Sequence, residues 1–317
     1  MTRRILSIAA LVILGCGVIS LHPRSELAAI FASHETAPAS GVAVDVKLPL
    51  EQKSVRFAVI GDNGTGDKPQ YEVAAEMEAY RKVVGYDFVT MMGDNIYGSH
   101  KPKDIERKFE TPYKPLLDAG VKFYACLGNH DDSNETLYKN FNMNSQHYYS
   151  FKKGDVQFFV LDSNYMDSKQ LDWINNQISG STAKWKIAYF HHPLYSDGRF
   201  HGPDLDLRKQ LMPIFEKYGV NVVMSGHDHV YERFKPEEGI YFFLVGNSGE
   251  LRYHNLRQGS NIMAVGFDTD QTFMLVEISG DKLYFQTISR TGQTVDSGVL
   301  LHQPKPQTPL QAQQQVH

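Results

Sequence analysis

Cysteine is scarce in this chain, which contains only Cys16 and Cys126 among its 317 residues. Two cysteines, one of them in an apolar N-terminal run, offer no disulfide framework, so the fold has to be held by a packed core. The 42% hydrophobic content is that of an ordinary globular chain able to form one. We expect Cys126 to be a small buried apolar residue of this core.

A surplus of basic residues is also missing. The chain has 32 Lys and Arg against 36 Asp and Glu, which gives a net charge of -4 and an isoelectric point of about 6.3. Proteins that bind nucleic acid usually carry a clear excess of clustered positive charge. We therefore expect no nucleic-acid partner, and we find no internal repeat that would indicate a solenoid.

One long apolar run is present, at the N-terminus. Two arginines precede an apolar stretch from Ile5 to Leu21, which is the pattern of an export signal. We expect a periplasmic or secreted protein. Segment 1–21 is also close to the lower limit of roughly 17 residues for a membrane span, so an anchor through this segment competes with a cleaved signal. Lipid attachment at Cys16 and cleavage near 37–39 both fit the pattern.

Composition divides the rest of the chain into three parts. Residues 22–53 are rich in Ala, Ser and Pro without a sustained period, which predicts a linker. Residues 54–301 carry all the regular apolar patterns and have the length of one α/β domain. Residues 302–317 contain too few apolar groups to fold and are expected to be a disordered tail.

Short apolar runs alternate with helical patterns in the predicted domain. A stripe of Val73, Met77 and Tyr80 predicts one helix, and two more are expected near 168–178 and 206–217. Many of the runs are apolar throughout, as strands covered on both faces require. Strands are predicted at 55–61, 87–93, 122–128, 156–162, 185–192, 221–226, 241–246, 273–279 and 282–289.

Two hairpins indicate how these strands are arranged. Gly-Asp pairs at 154–155 and 280–281 lie between alternating runs and supply the positive dihedral angles of a tight turn. The second half of the domain is therefore expected to be more antiparallel than the first. We predict an α/β (α+β) fold, with two packed mixed β-sheets flanked by helices.

Five of the predicted strands end in residue types that bind metals. Because α/β sheets bind their ligands beyond the carboxyl ends of the strands, these endings are expected to meet in one crevice. A glycine before the ligand allows a sharp exit from the strand and a close approach of the backbone in four of them. The endings are GDNG at 61–64, GDNIY at 93–97, GNHD at 128–131, FHHP at 190–193 and GHDH at 226–229.

The charges of the candidate ligands predict two unlike metal ions. Anionic oxygens favour hard cations, so the first group suits iron(III), with Tyr97 as phenolate. The second group is neutral and suits a divalent ion, with Asp94 bridging the pair. Two such cations activate water and stabilise an in-line displacement at phosphorus, which predicts phosphoester hydrolysis. The first group is Asp62, Asp94, Tyr97 and His229, and the second adds Asn129, His191 and His227.

With these motifs in this order, the sequence resembles the metallophosphoesterases. Within them it resembles the purple acid phosphatases, particularly the small form related to the mammalian tartrate-resistant enzyme. Tyr97 discriminates, because most other metallophosphoesterases lack this tyrosine and carry a histidine where Gly64 stands here. The resemblance spans almost all of 54–301 and implies a metallophosphoesterase catalytic domain with a sandwich fold.

The resemblance implies a role for each residue of the motifs. Asp62, Asp94, Tyr97 and His229 would hold the iron, and Asp94, Asn129, His191 and His227 would hold the second metal, which is Fe, Zn or Mn. His130 would contact the phosphate. His201 resembles the second substrate histidine of the family, although the spacing from His191 differs by one residue. Ala188 replaces the usual valine, and His192 is an extra histidine without an assigned role.

The expected activity is hydrolysis of phosphate monoesters at a dinuclear Fe(III)–M(II) centre, by attack of a metal-bound hydroxide. His201 or His130 would then protonate the leaving alkoxide. A phosphodiesterase or nucleotidase could use the same metals, and a non-catalytic metal-binding surface protein is the remaining alternative. The expected partner is a small phosphorylated substrate. Loops 98–113 and 247–261 carry no motif, so the substrate's identity stays open, as does the oligomeric state.

Overall fold

The apolar runs of the sequence form two β-sheets that pack face to face. The computed structural model describes residues 44–303, and within them it has thirteen strands. The strands are β1 Val55–Ile60, β2 Phe88–Met91, β3 Lys122–Ala125, β4 Tyr149–Lys153, β5 Val156–Val160, β6 Trp185–Tyr189, β7 Val222–Ser225, β8 Tyr231–Phe234, β9 Tyr241–Val245, β10 Met263–Phe267, β11 Thr272–Ser279, β12 Lys282–Ser289 and β13 Thr294–Leu301.

Both sheets are mixed. The first has the order β13-β12-β11-β1-β2-β3. In it, β1, β2 and β3 run parallel, while β11, β12 and β13 add an antiparallel half. The second has the order β10-β8-β9-β7-β6-β5-β4, with β5, β6, β7 and β9 parallel in its centre. The two predicted hairpins are β4–β5 and β11–β12. The predicted fold class is confirmed.

Aromatic side chains fill the space between the sheets. The rings of Phe57 and Phe88 in the first sheet lie 5.2 and 5.6 Å from that of Phe158 in the second. Further along, Phe243 and Phe285 make the same kind of contact at 5.1 Å. Such edge-to-face pairs add to the stabilisation by apolar burial. These contacts join the two sheets in one hydrophobic core.

Helices cover the outer faces of the sandwich. The stripe predicted on the first helix is buried, with the Tyr80 ring 5.8 Å from that of Phe273 in the first sheet. This helix ends at Gly85, whose φ of 72° closes the last turn. On the second sheet, Phe215 of the last helix lies 6.3 Å from Phe190. The helices are α1 Lys68–Val84, α2 Pro102–Ile105, α3 Lys114–Asp118, α4 Ser168–Ser179 and α5 Leu205–Tyr218.

Three of the observed strands, β8, β10 and β13, were not predicted from the sequence. They contain charged or small residues where an apolar run would be expected, such as Glu232 and Arg233 in β8 and Asp296 in β13. The structure pairs two of these charges across the sandwich, with Arg233 Nε 2.7 Å from an oxygen of Asp296. A strand stabilised by a partner more than sixty residues away leaves no local signal.

The folded domain begins earlier than Ser54, which corrects the predicted extent of the linker. Leu48 is buried, and the backbone N–H groups of Leu50 and Glu51 donate to the carboxylate of Glu277, at 2.8 and 2.6 Å. Glu277 is itself fully buried, so it needs these donors. Residues 44–53 therefore belong to the domain, because a buried charge in β11 binds their backbone.

The termini lie outside the described residues. This applies to segment 1–21 with Cys16, to most of the predicted linker and to nearly all of the predicted tail. Cys126 is described and is buried and unpaired, as expected. Among residues 44–303, no helix combines the length and the apolar character that crossing a membrane requires.

Candidate metal centre

The five motifs meet at one edge of the sandwich because they follow five strands with the same orientation. They come directly after β1, β2 and β3 of the first sheet and β6 and β7 of the second. Parallel strands bring their carboxyl ends to the same edge. The structure thereby brings all seven predicted metal ligands together, although they lie up to 167 positions apart, from Asp62 to His229.

Three of the ligands have unusual backbone conformations. Asp62, Asp94 and His227 have φ angles of 53°, 52° and 75°, in the left-handed region that non-glycine residues rarely adopt. Each such conformation costs on the order of 1–3 kcal/mol, which the surrounding structure has to offset. Glycines of the motifs leave room for the ligand side chains: a Cβ on Gly128 would lie 2.1 Å from Asp94 Oδ1, and one on Gly93 2.7 Å from His191 Nδ1.

The first group of ligands surrounds the Tyr97 hydroxyl. This hydroxyl lies 3.1 Å from Asp62 Oδ1 and 3.2 Å from His229 Nε2. Asp62, Asp94 and His229 are all buried, and each has a ligand atom within 4.8 Å of the other two. Burial raises the pKa of Tyr97, and the charges of the two aspartates raise it further. A phenolate at this position therefore requires a cation beside it.

In the second group of ligands, two hydrogen-bond acceptor atoms lie close to each other. His191 Nδ1 lies 2.9 Å from the carbonyl oxygen of Met92 and must donate to it, so Nε2 of the neutral ring is an acceptor. This Nε2 lies 3.0 Å from Asn129 Oδ1, which is also an acceptor, and 3.1 Å from His227 Nδ1. Two acceptors at such a distance favour a cation between them.

Asp94 lies between the two groups. Its Oδ1 is 3.5 Å from His191 Nε2 in the second group, while its carboxylate belongs to the first. Asp62 and Asp94 are buried together, and burial together with the charge of Asp94 raises the pKa of Asp62. Two buried carboxylates in one cluster are unfavourable without a compensating charge. The donor set therefore fits two cations with Asp94 available to both.

The two predicted substrate histidines lie at the solvent side of these ligands. His130 is exposed, its backbone N–H donates to Asp94 Oδ1 at 3.0 Å, and its ring centroid is 4.9 Å from that of Tyr97. His201 is also exposed, and its ring lies 4.0 Å from that of His227. The altered spacing before His201 thus does not remove it from the cluster.

His192 and Asp131 also have definite contacts. The His192 ring lies 4.5 Å from that of His227, and its Nδ1 is 2.9 Å from Ser163 Oγ. Burial lowers the pKa of His192 to about 4, so the ring is neutral. Asp131 accepts hydrogen bonds from the backbone of Gly128 and Ile96, at 2.8 and 3.0 Å. It therefore stabilises the ligand loops and does not orient the neighbouring His130 ring.

Sequence reasoning missed a buried network behind His201. The Ser196 hydroxyl contacts both Asp228 Oδ2 and Glu232 Oε1, although it has only one proton to donate. Asp228 also accepts from the backbone N–H of His201 and Gly202, at 3.3 and 3.0 Å. Burial raises the pKa of Glu232 to about 8, so this carboxyl supplies the second proton. The sequence gives no local pattern for this network, apart from the position of Glu232 shortly after the GHDH motif.

Glu232 makes stability depend on pH. An acid whose pKa is higher in the folded than in the unfolded state binds protons more tightly when folded, so stability falls between its unfolded pKa near 4.3 and its folded pKa of about 8. Glu232→Gln keeps a neutral group of the same shape. From pH 5 to pH 8 we expect the free energy of unfolding of this variant to increase relative to that of wild type, because only wild type loses stability over this range.

Urea unfolding at both pH values measures this change. The expected difference is a few kcal/mol, since each pKa unit corresponds to about 1.36 kcal/mol. Glu78→Gln is the matched control, because Glu78 pairs with Lys82 on the surface of α1. Parallel pH profiles for wild type and Glu232→Gln would contradict the assignment of a proton to this carboxyl.

The fold and this cluster define a metal-dependent phosphoesterase scaffold, and the comparisons agree. The model of the calcineurin-like phosphoesterase family matches residues 55–231, more than half of the chain. The chain belongs to this family and is a phosphoesterase hydrolase. All five motifs fall within the matched residues, so the predicted family is confirmed.

Curated relatives point to one branch of the family. The chain is 24% identical to tartrate-resistant acid phosphatase type 5 of Rattus norvegicus, over 86% of this chain and 94% of the relative. It is 27% identical to purple acid phosphatase 17 of Arabidopsis thaliana, over 62% of this chain and 68% of the relative. The resemblance to purple acid phosphatases is thus confirmed, and with it the expectation of phosphoester hydrolysis at a metal centre.

Solved structures share the fold. The purple acid phosphatase PPD1 from yellow lupin seeds aligns with a TM-score of 0.68 and 17% identity, over 80% of this chain and 55% of that one. A structure described as GAP50, the anchor in the inner membrane complex of Plasmodium, aligns with a TM-score of 0.71 and 19% identity, over 82% and 93% of the two chains. At these identities the likeness concerns architecture alone.

Proposed function

We propose that this protein hydrolyses phosphate monoesters with an Fe(III) ion and a divalent ion, Fe, Zn or Mn. The observation that carries the proposal is the Tyr97 hydroxyl beside Asp62 and His229, because an anionic tyrosine, carboxylates and one imidazole form a donor set for a hard trivalent cation. When bound, the two ions lower the pKa of water and neutralise charge on the phosphoryl group.

Other side chains of the site would bind the phosphoryl group and protonate the leaving group. Asn129, which belongs to the second group of ligands, and His130, which lies beside Tyr97 and Asp94, are both exposed, so their polar atoms can hold phosphoryl oxygens. His201 is exposed on the far side of His227 and can protonate the leaving alkoxide. The neutral His192 ring occupies the space beside His227 without adding charge. A small phosphorylated molecule is the substrate that such a centre fits.

Two alternatives share this scaffold. A phosphodiesterase or nucleotidase would use the same ligands, and comparing hydrolysis of bis(4-nitrophenyl) phosphate with 4-nitrophenyl phosphate separates them. A binding protein without catalysis is the other, and the anchor description of GAP50 illustrates that such a fold can carry another role. The complete ligand set together with His130 favours an enzyme.

Metal analysis with a visible spectrum and these two substrates tests the proposal. We expect two metals per chain, one of them iron, and a tyrosinate-to-iron band that is lost in Tyr97→Phe. The monoester should be the better substrate by kcat/KM. Two metals without the band would contradict the iron assignment, and faster turnover of the diester would contradict the monoester assignment.

Export is part of the proposal and is supported by the two arginines and the apolar stretch of segment 1–21. Mass spectrometry of the mature N-terminus distinguishes its three forms. Cleavage near 37–39, a lipid on Cys16 and an uncleaved anchor give different N-terminal peptides. An intact, unmodified N-terminus on protein from the soluble cytoplasmic fraction would contradict export.

A further inference from the structure

Arg252 is an arginine beside the metal centre without an acidic partner. Its backbone N–H donates to the carbonyl oxygen of His229 at 2.9 Å, which places it next to the first group of ligands. Its Nε is buried and has no hydrogen-bond partner in the part of the chain that the structure describes. Among residues 44–303, no carboxylate lies within 4.0 Å of its guanidinium group.

The guanidinium group lies over the ring of an exposed phenylalanine. Its central carbon lies 3.6 Å from the ring centroid of Phe200, and this ring is 63% exposed. Stacking on an aromatic face fixes the plane of a guanidinium and leaves its edge free to bind a carboxylate or phosphate with two hydrogen bonds. The Phe200 ring in turn lies 4.6 Å from that of His201.

The segments 197–199 and 255–257, which flank Phe200 and Arg252 in the sequence, are joined by backbone hydrogen bonds. Gly198 and Leu256 form a β-bridge, the N–H of Arg199 donates to Asn255 at 2.9 Å, and that of Arg257 donates to Asp197 at 2.9 Å. Arg199 and Arg257 are exposed, and neither has an ion-pair partner within the described part of the chain. Within the described residues, three arginines without an ion-pair partner thus lie in these two joined loops, in a protein whose net charge is -4.

A cavity that borders the second group of ligands is lined by acidic side chains, without arginine or lysine. It has a volume of about 430 Å³ and reaches from Asn129 to His192. Its lining includes Asp131, Asp162 and Asp204 but no lysine or arginine. A second anionic group on a substrate would be repelled there and attracted toward Arg252.

We propose that Arg252, stacked on Phe200, binds a second anionic group carried by the leaving group of the substrate. The substrate class is then phosphate monoesters whose alcohol also bears a carboxylate or a phosphate. His201 lies between the metal ligands and this arginine, so the alcohol oxygen would pass the proton donor while its anion contacts Arg252. This assignment rests on the proposed monoesterase function and adds its specificity.

A matched pair of substrates tests the assignment. 3-Phosphoglycerate and glycerol 3-phosphate differ by a carboxylate in place of a hydroxymethyl group. We expect Arg252→Gln to lower the ratio of their kcat/KM values by about tenfold to a hundredfold, the usual effect of losing a charged hydrogen bond. Arg252→Lys should fall in between, because lysine keeps the charge but loses the planar fork.

The control is Arg208→Gln. The guanidinium carbon of Arg208 also lies over an aromatic ring, 4.7 Å from the ring centroid of Tyr195, but this pair is outside the ligand cluster. Its ratio should stay at the wild-type value. An equal loss with both substrates in Arg252→Gln would overturn the proposal, because it would mean a contact to the transferred phosphoryl group or a structural role.

A second measurement does not depend on turnover. The NMR resonance of the Arg252 side-chain Nε–H, identified by its absence in Arg252→Gln, should shift when glycerate is added and should not shift with glycerol. No shift with glycerate would overturn the proposal. Absence of monoesterase activity with both substrates, combined with the glycerate shift, would instead contradict the proposed function and leave the anion site supported.

Discussion

Asp94→Ala is expected to abolish turnover and to remove both metals from the protein. Asp94 is buried, belongs to the first group of ligands and lies 3.5 Å from His191 of the second. Its loss therefore removes a charged donor available to both ions. A metal cation contributes several kcal/mol to phosphoryl transfer and each 1.36 kcal/mol is tenfold in rate, so kcat should fall by at least about a hundredfold.

Metal content per chain by mass spectrometry and kcat with 4-nitrophenyl phosphate give the two readouts. Asp118→Ala is the matched control, because Asp118 is exposed and pairs only with Lys114 on α3. Circular dichroism checks that the variant is folded, which matters because Asp94 also accepts the His130 N–H. Two retained metals in a folded, fully active Asp94→Ala would refute the assignment of Asp94 as a ligand available to both ions.

His227→Ala is expected to reduce the metal content from two ions to one. The His227 ring contacts His191 at 4.9 Å, whereas its backbone N–H binds Asp62 Oδ2 at 2.9 Å. Alanine removes the imidazole ligand and keeps this backbone contact, so the first group of ligands stays in place. Turnover should be lost because the chemistry requires both cations.

The comparison with Asp94→Ala makes this result specific. One variant should lose a single ion and the other both, and retention of any tyrosinate-to-iron band in His227→Ala would identify the ion that remains. His302→Ala is the control, since His302 packs on Trp185 at the start of β6, away from the carboxyl end of this strand. Unchanged metal content and activity in His227→Ala would refute its assignment as a ligand.

The meeting of the candidate ligands at one edge was predictable because they follow strands directly. The apolar runs before Asp62, Asp94 and His191 are strong local patterns that predict strands. Because parallel strands end at one edge of a sheet, the residues that follow them are expected to lie close together. Helical periodicity placed α4 and α5 close to their observed bounds and identified the buried stripe of α1. Sequence patterns failed for β8, β10 and β13, whose polar residues have distant partners.

The extent of the domain was less predictable. Residues 44–53 have the composition of a linker, yet their backbone binds the buried Glu277. The network of Ser196, Asp228 and Glu232 was equally hidden, because its members come from two loops and a strand. Neither composition nor periodicity reports on a contact between segments that are far apart in the chain.

The sequence by itself determined which side chains can bind metal, the order in which they occur and the family that this order indicates, since each motif is a strand and the turn after it. Only the tertiary structure decided which acceptors face each other, which carboxyl keeps its proton and where an unpaired arginine lies. Distances, burial and charge pairing depend on loops packed against one another, and these properties arise only when the chain is folded.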